Sequence, residues 1–87
     1  MKLFAPKLYA GELVSISNDG NSLVIYSKTD KKNFTIRMGS KTVLHNNARK
    51  VVALKRFAPG DWIRVWGTLR EDDYGAVDAE VVRNTDL

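Results

Sequence analysis

Residues Asn18-Asp19-Gly20-Asn21 separate two strand-like runs, "LYAGELVSIS" before them and "SLVIYSK" after. Asp-Gly supplies the positive backbone φ that a tight hairpin needs and that most residues resist. A chain carrying so well-marked a hairpin is committed to antiparallel pairing, and the next segment keeps the two-residue period. In "NFTIRMG", Phe34, Ile36 and Met38 alternate with Thr35 and Arg37, as in a strand with one dry and one wet face. Leu23 and Ile25 join them inside, leaving Val24, Tyr26 and Lys28 outward. The first three strands form a meander. Gly11, within the first run, marks a bulge or sharp bend.

The segment "KTVLHNNARKVVALKRFAPGD" abandons the alternation. Asn46 or Asn47 is placed to cap a short helix over 48–57, with Ala48, Val51, Val52 and Leu54 on its apolar side and Pro59-Gly60 as its stop. An ordered loop is the alternative. Two further runs, "GDWIRVWGTLR" and "GAVDAEVVRN", flank "EDDYG", where Glu71, Asp72, Asp73 and Gly75 make a turn. Three strands, one short helix or ordered loop, and two more strands give an all-β chain in the order of a five-stranded Greek-key OB-fold barrel. Closure also suits the size. A domain of 87 residues buries only about 60–65% of its unfolded surface, and with no cysteine it has no disulfide to help. One domain is expected over 1–87, with 1–7 as an N-terminal extension and 84–87 as a C-terminal tail.

The fourth strand raises the functional question. Alternation sends Ile63 and Val65 to one face and Trp62, Arg64 and Trp66 to the other. With the aliphatic pair inside, the indoles stand outward about 6.5–7 Å on either side of Arg64. Three uses fit such a row. The rings pack under the N-terminal segment, against Phe4 and Leu8, or under the helix. Or they stack unpaired bases, at about 1–3 kcal/mol each. Or they make a protein contact, since Trp and Arg are enriched at interface hot spots.

Charge is uneven along the chain. Overall it is +4, but residues 1–56 hold eleven Lys/Arg against Glu12, Asp19 and Asp30, a net of +8. From Phe57 onward Arg64, Arg70 and Arg83 face seven acids, a net of −4. A basic surface for an anionic partner and an ordinary solvated surface both fit this composition. A second candidate face lies on strands two and three, with Tyr26, Lys28, Thr35 and Arg37 outward and Lys31 and Lys32 in the turn. OB-folds commonly bind oligonucleotides there; a solvated sheet face predicts the same residue types. Arg49, Lys50, Lys55 and Arg56 would place a basic stripe on the helix, for which a solvated face is the plainer explanation. Glu71-Asp72-Asp73 argues the other way, because three carboxylates in the last turn repel phosphate.

Most of the chain resembles a family of small bacterial OB-like domains of unknown function. The likeness rests on Gly11 and Leu13, on Thr42 and Val43, on Gly60, Asp61, Ile63, Val65 and Gly67, and on Ala79 and Val82. These positions are structural, so the resemblance implies a fold more than an activity. It also implies two functional branches, since members are commonly exported or envelope-associated, while the Gly-Asp-x-hydrophobic-x-hydrophobic strand is similar to that of small nucleic-acid-binding barrels.

Catalysis finds no footing. His45 is the one histidine, and Ser15, Ser17, Ser22, Ser27 and Ser40 have no glycine-rich nucleophile elbow around them. The glycines mark turns rather than a phosphate-cradling loop. The expectation is a non-catalytic binding module without cofactor or metal. Its first candidate ligand is single-stranded nucleic acid, held by Tyr26, Lys28, Lys31, Lys32, Arg37, Trp62, Arg64 and Trp66. The alternative is a protein–protein or envelope-associated module, including self-association through Trp62 and Trp66. No apolar run approaches the roughly 18 residues needed to cross a bilayer, and "MKLFAPKLYAG" is too short for a secretory signal. The chain as written is expected in the cytoplasm, or outside it if a leader has been removed.

Overall fold

The alternating runs become strands in the order expected. A computed structural model describes residues 5–70, 72 and 75–87. Strand β1 spans Lys7–Ile16, β2 Ser22–Ser27, β3 Lys32–Asn46, β4 Trp62–Leu69 and β5 Ala76–Asn84. They close into a five-stranded barrel in the order β1-β2-β3-β5-β4, with β4 pairing back onto β1. Among the described residues only the β3–β5 ladder is parallel. This is the OB-fold arrangement.

Most of the interior is filled by residues the two-residue period turns inward; Val77 and Val82 of β5, an odd number of residues apart, join them on either side of a register shift. Ile25, Ile36, Ile63, Val65, Val77 and Val82 are fully buried, and Leu13, Leu23, Phe34 and Tyr9 nearly so. Each such aliphatic side chain contributes about 1.5–3 kcal/mol of burial free energy. The β1–β2 turn is locked by Asp19, whose carboxylate accepts from the Ser17 hydroxyl at 2.6 Å and the Asn21 amide at 2.9 Å. The Ser17 hydrogen bond, then the Asn21 amide, holds that carboxyl below its ordinary range.

Two expectations about the middle of the chain are corrected. Strand β3 does not stop near Gly39 but runs on to Asn46, so "KTVLHN" is strand. No helix follows over 48–57. A tight turn does, in which the Lys50 amide donates to the Asn46 side-chain oxygen (3.0 Å) and the Arg49 amide to the Asn46 carbonyl (3.0 Å). The side chain assigned to a helix cap closes a reversal instead, because that lets Val51 bridge to His45 and the Val52 amide reach the Leu44 carbonyl. β-branched Val51 and Val52 fit this extended path better than a helix. One 3-10 turn, Leu54–Arg56, then delivers Phe57 into the core, so an ordered loop closes this part of the barrel. Without a helix, Arg49 and Arg56 share no line.

The C-terminal residues are stitched down by polar contacts. Asn84 is fully buried and donates to the Asp61 carboxylate at 2.7 Å. Its oxygen accepts from the Asp86 amide at 2.9 Å, and Asp86 in turn accepts from the Trp62 amide at 2.7 Å.

Among the described residues, one buried side-chain polar atom has no hydrogen-bond partner. The Tyr9 hydroxyl is sealed inside the barrel without a hydrogen bond, while its ring packs edge-on against Phe34 at a centroid distance of 5.2 Å. An unmade buried hydrogen bond costs about 1–3 kcal/mol. Tyr9→Phe keeps the ring contact and removes the orphan, so urea unfolding should show stability unchanged or raised by up to about 1–2 kcal/mol. A clear loss of stability would mean that a water or another group satisfies this hydroxyl.

Candidate binding face

Ile63 and Val65 are fully buried, so the outward row on β4 is real: Arg64 is exposed, Trp66 is 46% exposed, and Trp62 is half-buried. The flanking registers decide what surrounds each ring. On β1, Leu8 pairs with Trp66, Ala10 with Arg64 and Glu12 with Trp62. On β5, Val81 pairs with Trp66 and Arg83 with Arg64; beyond them on β3, Val43 pairs with Val81 and His45 with Arg83.

Two rows therefore run across four strands. The first, Leu8–Trp66–Val81–Val43, is apolar; the second, Ala10–Arg64–Arg83–His45, is mostly basic. Strand spacing makes each row about 14 Å long, and the rows lie about 6.5–7 Å apart. The phase of β5 depends on a bulge. Gly67 pairs with Ala79 while the next residue back, Trp66, pairs with Val81, so Glu80 is the extra residue. Without it Glu80 would stand opposite Trp66 and Arg83 would point into the barrel.

These side chains line a shallow groove of about 200 Å³. Trp66, Leu8 and Val81 form its apolar part; Arg64, Arg83, His45 and Arg49 form the rest. Among the described residues no carboxylate lines it, and none pairs with Arg49, Arg64 or Arg83. Leu8 is 52% exposed, and Val43 and Val51 are exposed as well.

The structure divides the eight residues singled out from the sequence between two faces. Arg64 and Trp66 belong to the groove. Trp62 is the next outward residue, but its neighbours are Glu12 and the turn ending in Asp86. Tyr26 lies exposed on β2, across Glu12 from Trp62, since Glu12 pairs with both. Lys28 is spent on Glu12 at 3.3 Å, and the Lys32 ammonium folds 4.8 Å over the Phe34 ring. Lys31 sits in the β2–β3 turn at φ 55°, and Arg37 is exposed opposite Ser22 and Asp78. The rows do not bring Tyr26, Lys31 or Arg37 to the groove.

Sequence reasoning placed Leu8 against the indoles, as its pairing with Trp66 shows, but missed Val43, His45, Arg49, Val81 and Arg83 as members of one face. A signal for two of them was present: Ala79 and Val82 both face the core three residues apart, which plain alternation forbids and a bulge permits. Phe4, proposed as cover for the indoles, lies outside the described residues, as do Glu71 and Asp73 of the acidic turn. Asp72 is described, and Arg70 grips it at 3.0 Å and Asp78 at 3.2 Å. The Asp72 hydrogen bond, then that of Asp78, holds the Arg70 guanidinium above its ordinary range, and the same contact lowers the Asp72 carboxyl.

Among the described residues no cluster of three or more His, Cys, Asp or Glu is placed to hold a metal ion, and no helix is long and apolar enough to cross a membrane. Fold and face together define a small OB barrel with an acid-free aromatic and basic surface. No protein-family model matches the chain, and no curated protein matches it.

Proposed function

We propose that this chain is a non-catalytic binding module that takes single-stranded nucleic acid on the outer face of β1, β4, β5 and the end of β3. The observation that carries the reading is the groove in which a half-exposed indole adjoins three guanidinium groups that, among the described residues, have no ion-pair partner and no carboxylate beside them in the lining. Unpaired bases offer π-faces to the indole, and phosphates offer charge to the arginines. The β2–β3 face is the weaker candidate, because two of its lysines are already engaged.

The exposed apolar row also suits a protein partner, and self-association is the simplest form of that reading. A two-fold contact would bring this basic patch against itself, and like charges brought together without counter-charge repel. That argues for a polyanion.

The test is a fluorescence titration with a thymidylate octamer in about 20 mM salt. Stacking on Trp66 should quench the indole emission. The logarithm of affinity should fall against the logarithm of salt with a slope near −2, from three phosphates at about 0.7 each. Absence of quenching, with sedimentation showing dimers, would transfer the face to the protein-contact reading.

A further inference from the structure

Resting on that reading, we infer that the nucleic-acid strand lies crosswise to the β-strands. Its bases run along Leu8–Trp66–Val81, its phosphates along Arg64–Arg83, and Arg49 closes the phosphate row from a left-handed turn. The other conceivable path runs lengthwise over the outward row Trp62, Arg64 and Trp66. Two features oppose it. Trp62 is half-buried between Glu12 and the 84–87 turn, so a strand following β4 would meet at that end the Glu12–Lys28 ion pair, which offers no net positive charge, and the Asp86 carboxylate. Across the strands, by contrast, apolar and basic groups stay in separate parallel rows, as bases and phosphates are separated along one edge and the other of a single strand.

Arg49 is the least expected member. Its φ is 63°, a region that side-chain-bearing residues other than Asn and Asp seldom occupy. Glycine would fill the position without strain, as Gly20 and Gly60 do at φ 73° and 94°. The turn is over-determined around it by the Asn46 bonds to Lys50 and by the His45–Val51 bridge. Strain held in this way clusters where a side chain is needed in one place. Here the guanidinium lines the groove beside His45, and among the described residues no ion pair occupies it. Arg49 thus extends the phosphate row past its last strand.

The experiment is the salt dependence of thymidylate octamer binding across variants of the full chain. Arg49→Gly removes strain and charge together. Its thermal midpoint should be unchanged or raised, while affinity drops several-fold and the salt slope loses about 0.7. Arg49→Lys should restore the slope. Arg83→Gln should lose the same increment and Arg83→Lys should keep it. Lys50→Gln, one residue from Arg49 and outside the groove, should change neither. Trp62→Phe should hold affinity within about twofold.

If the unmodified chain fails to bind the octamer, the parent reading falls. If it binds but Arg49→Gly and Arg83→Gln keep the full slope while Trp62→Phe loses affinity, the strand runs lengthwise and the crosswise inference is overturned.

Discussion

Gly11→Ala should lower the thermal midpoint by about 12–24 °C while Gly39→Ala leaves it close to that of the parent. Strand β1 is shared between two neighbours at this point: Gly11 pairs with Ile63 of β4, and the adjoining Glu12 pairs with Tyr26 of β2. A Cβ on Gly11 runs into the carbonyl oxygen of Tyr26 and lies 2.7 Å from its carbonyl carbon. Those atoms are backbone, so no rotamer change relieves the overlap. The strands must part where the barrel closes. Overpacking of this kind costs about 1–3 kcal/mol, and a rigid backbone obstacle belongs at the upper end. In a domain of this size each kcal/mol moves the midpoint about 4–8 °C. Gly39 has nothing within 4 Å of the same atom, which makes it the control for loss of glycine itself. Circular dichroism melts that found the two variants alike would show that β1 can yield at Gly11.

The second large effect concerns Trp66. Trp66→Ala should weaken thymidylate octamer binding by about 5- to 150-fold, the equivalent of the roughly 1–3 kcal/mol of one stacked base. The salt slope should stay where it was, because an indole neutralises no phosphate. Tyr26→Ala should matter little, since Tyr26 stands on the far side of Glu12 from the groove. The fold should survive both changes: Trp66 is 46% exposed and Tyr26 38%, and neither belongs to the core cluster. Isothermal titration at two salt concentrations separates affinity from slope. A larger loss from Tyr26→Ala than from Trp66→Ala would move the ligand to the β2–β3 face.

How far the residues foretold the molecule depends on the range of the interaction concerned. Asp19-Gly20 and the alternation in "NFTIRMG" are local signals, and both became the hairpin and strand they implied. The inward pair Ile63 and Val65 was equally legible, because a side chain's face follows from its neighbours one and two residues away. The expected helix failed for a local reason with a distant cause. Asn46 has the chemistry of a helix cap, but β3 continues beneath β5 as far as the Asn46–Asn84 pair, and the chain must turn back there rather than coil. Propensity yields to a ladder of that length.

By itself, then, the amino-acid order determined that this chain is a small closed barrel, that Leu23, Ile25, Phe34, Ile36, Ile63 and Val65 fill much of it and that bulky indoles stand outside. Only the tertiary structure decided that Trp66 and Trp62 lead different lives, one beside Arg83 and Leu8 and the other beside Glu12 and Asp86. The reason is geometric. Period-two patterning states which face a residue takes, whereas its neighbours across the sheet depend on register, and here the register shifts at Glu80 of β5 and between Met38 and Val43 of β3.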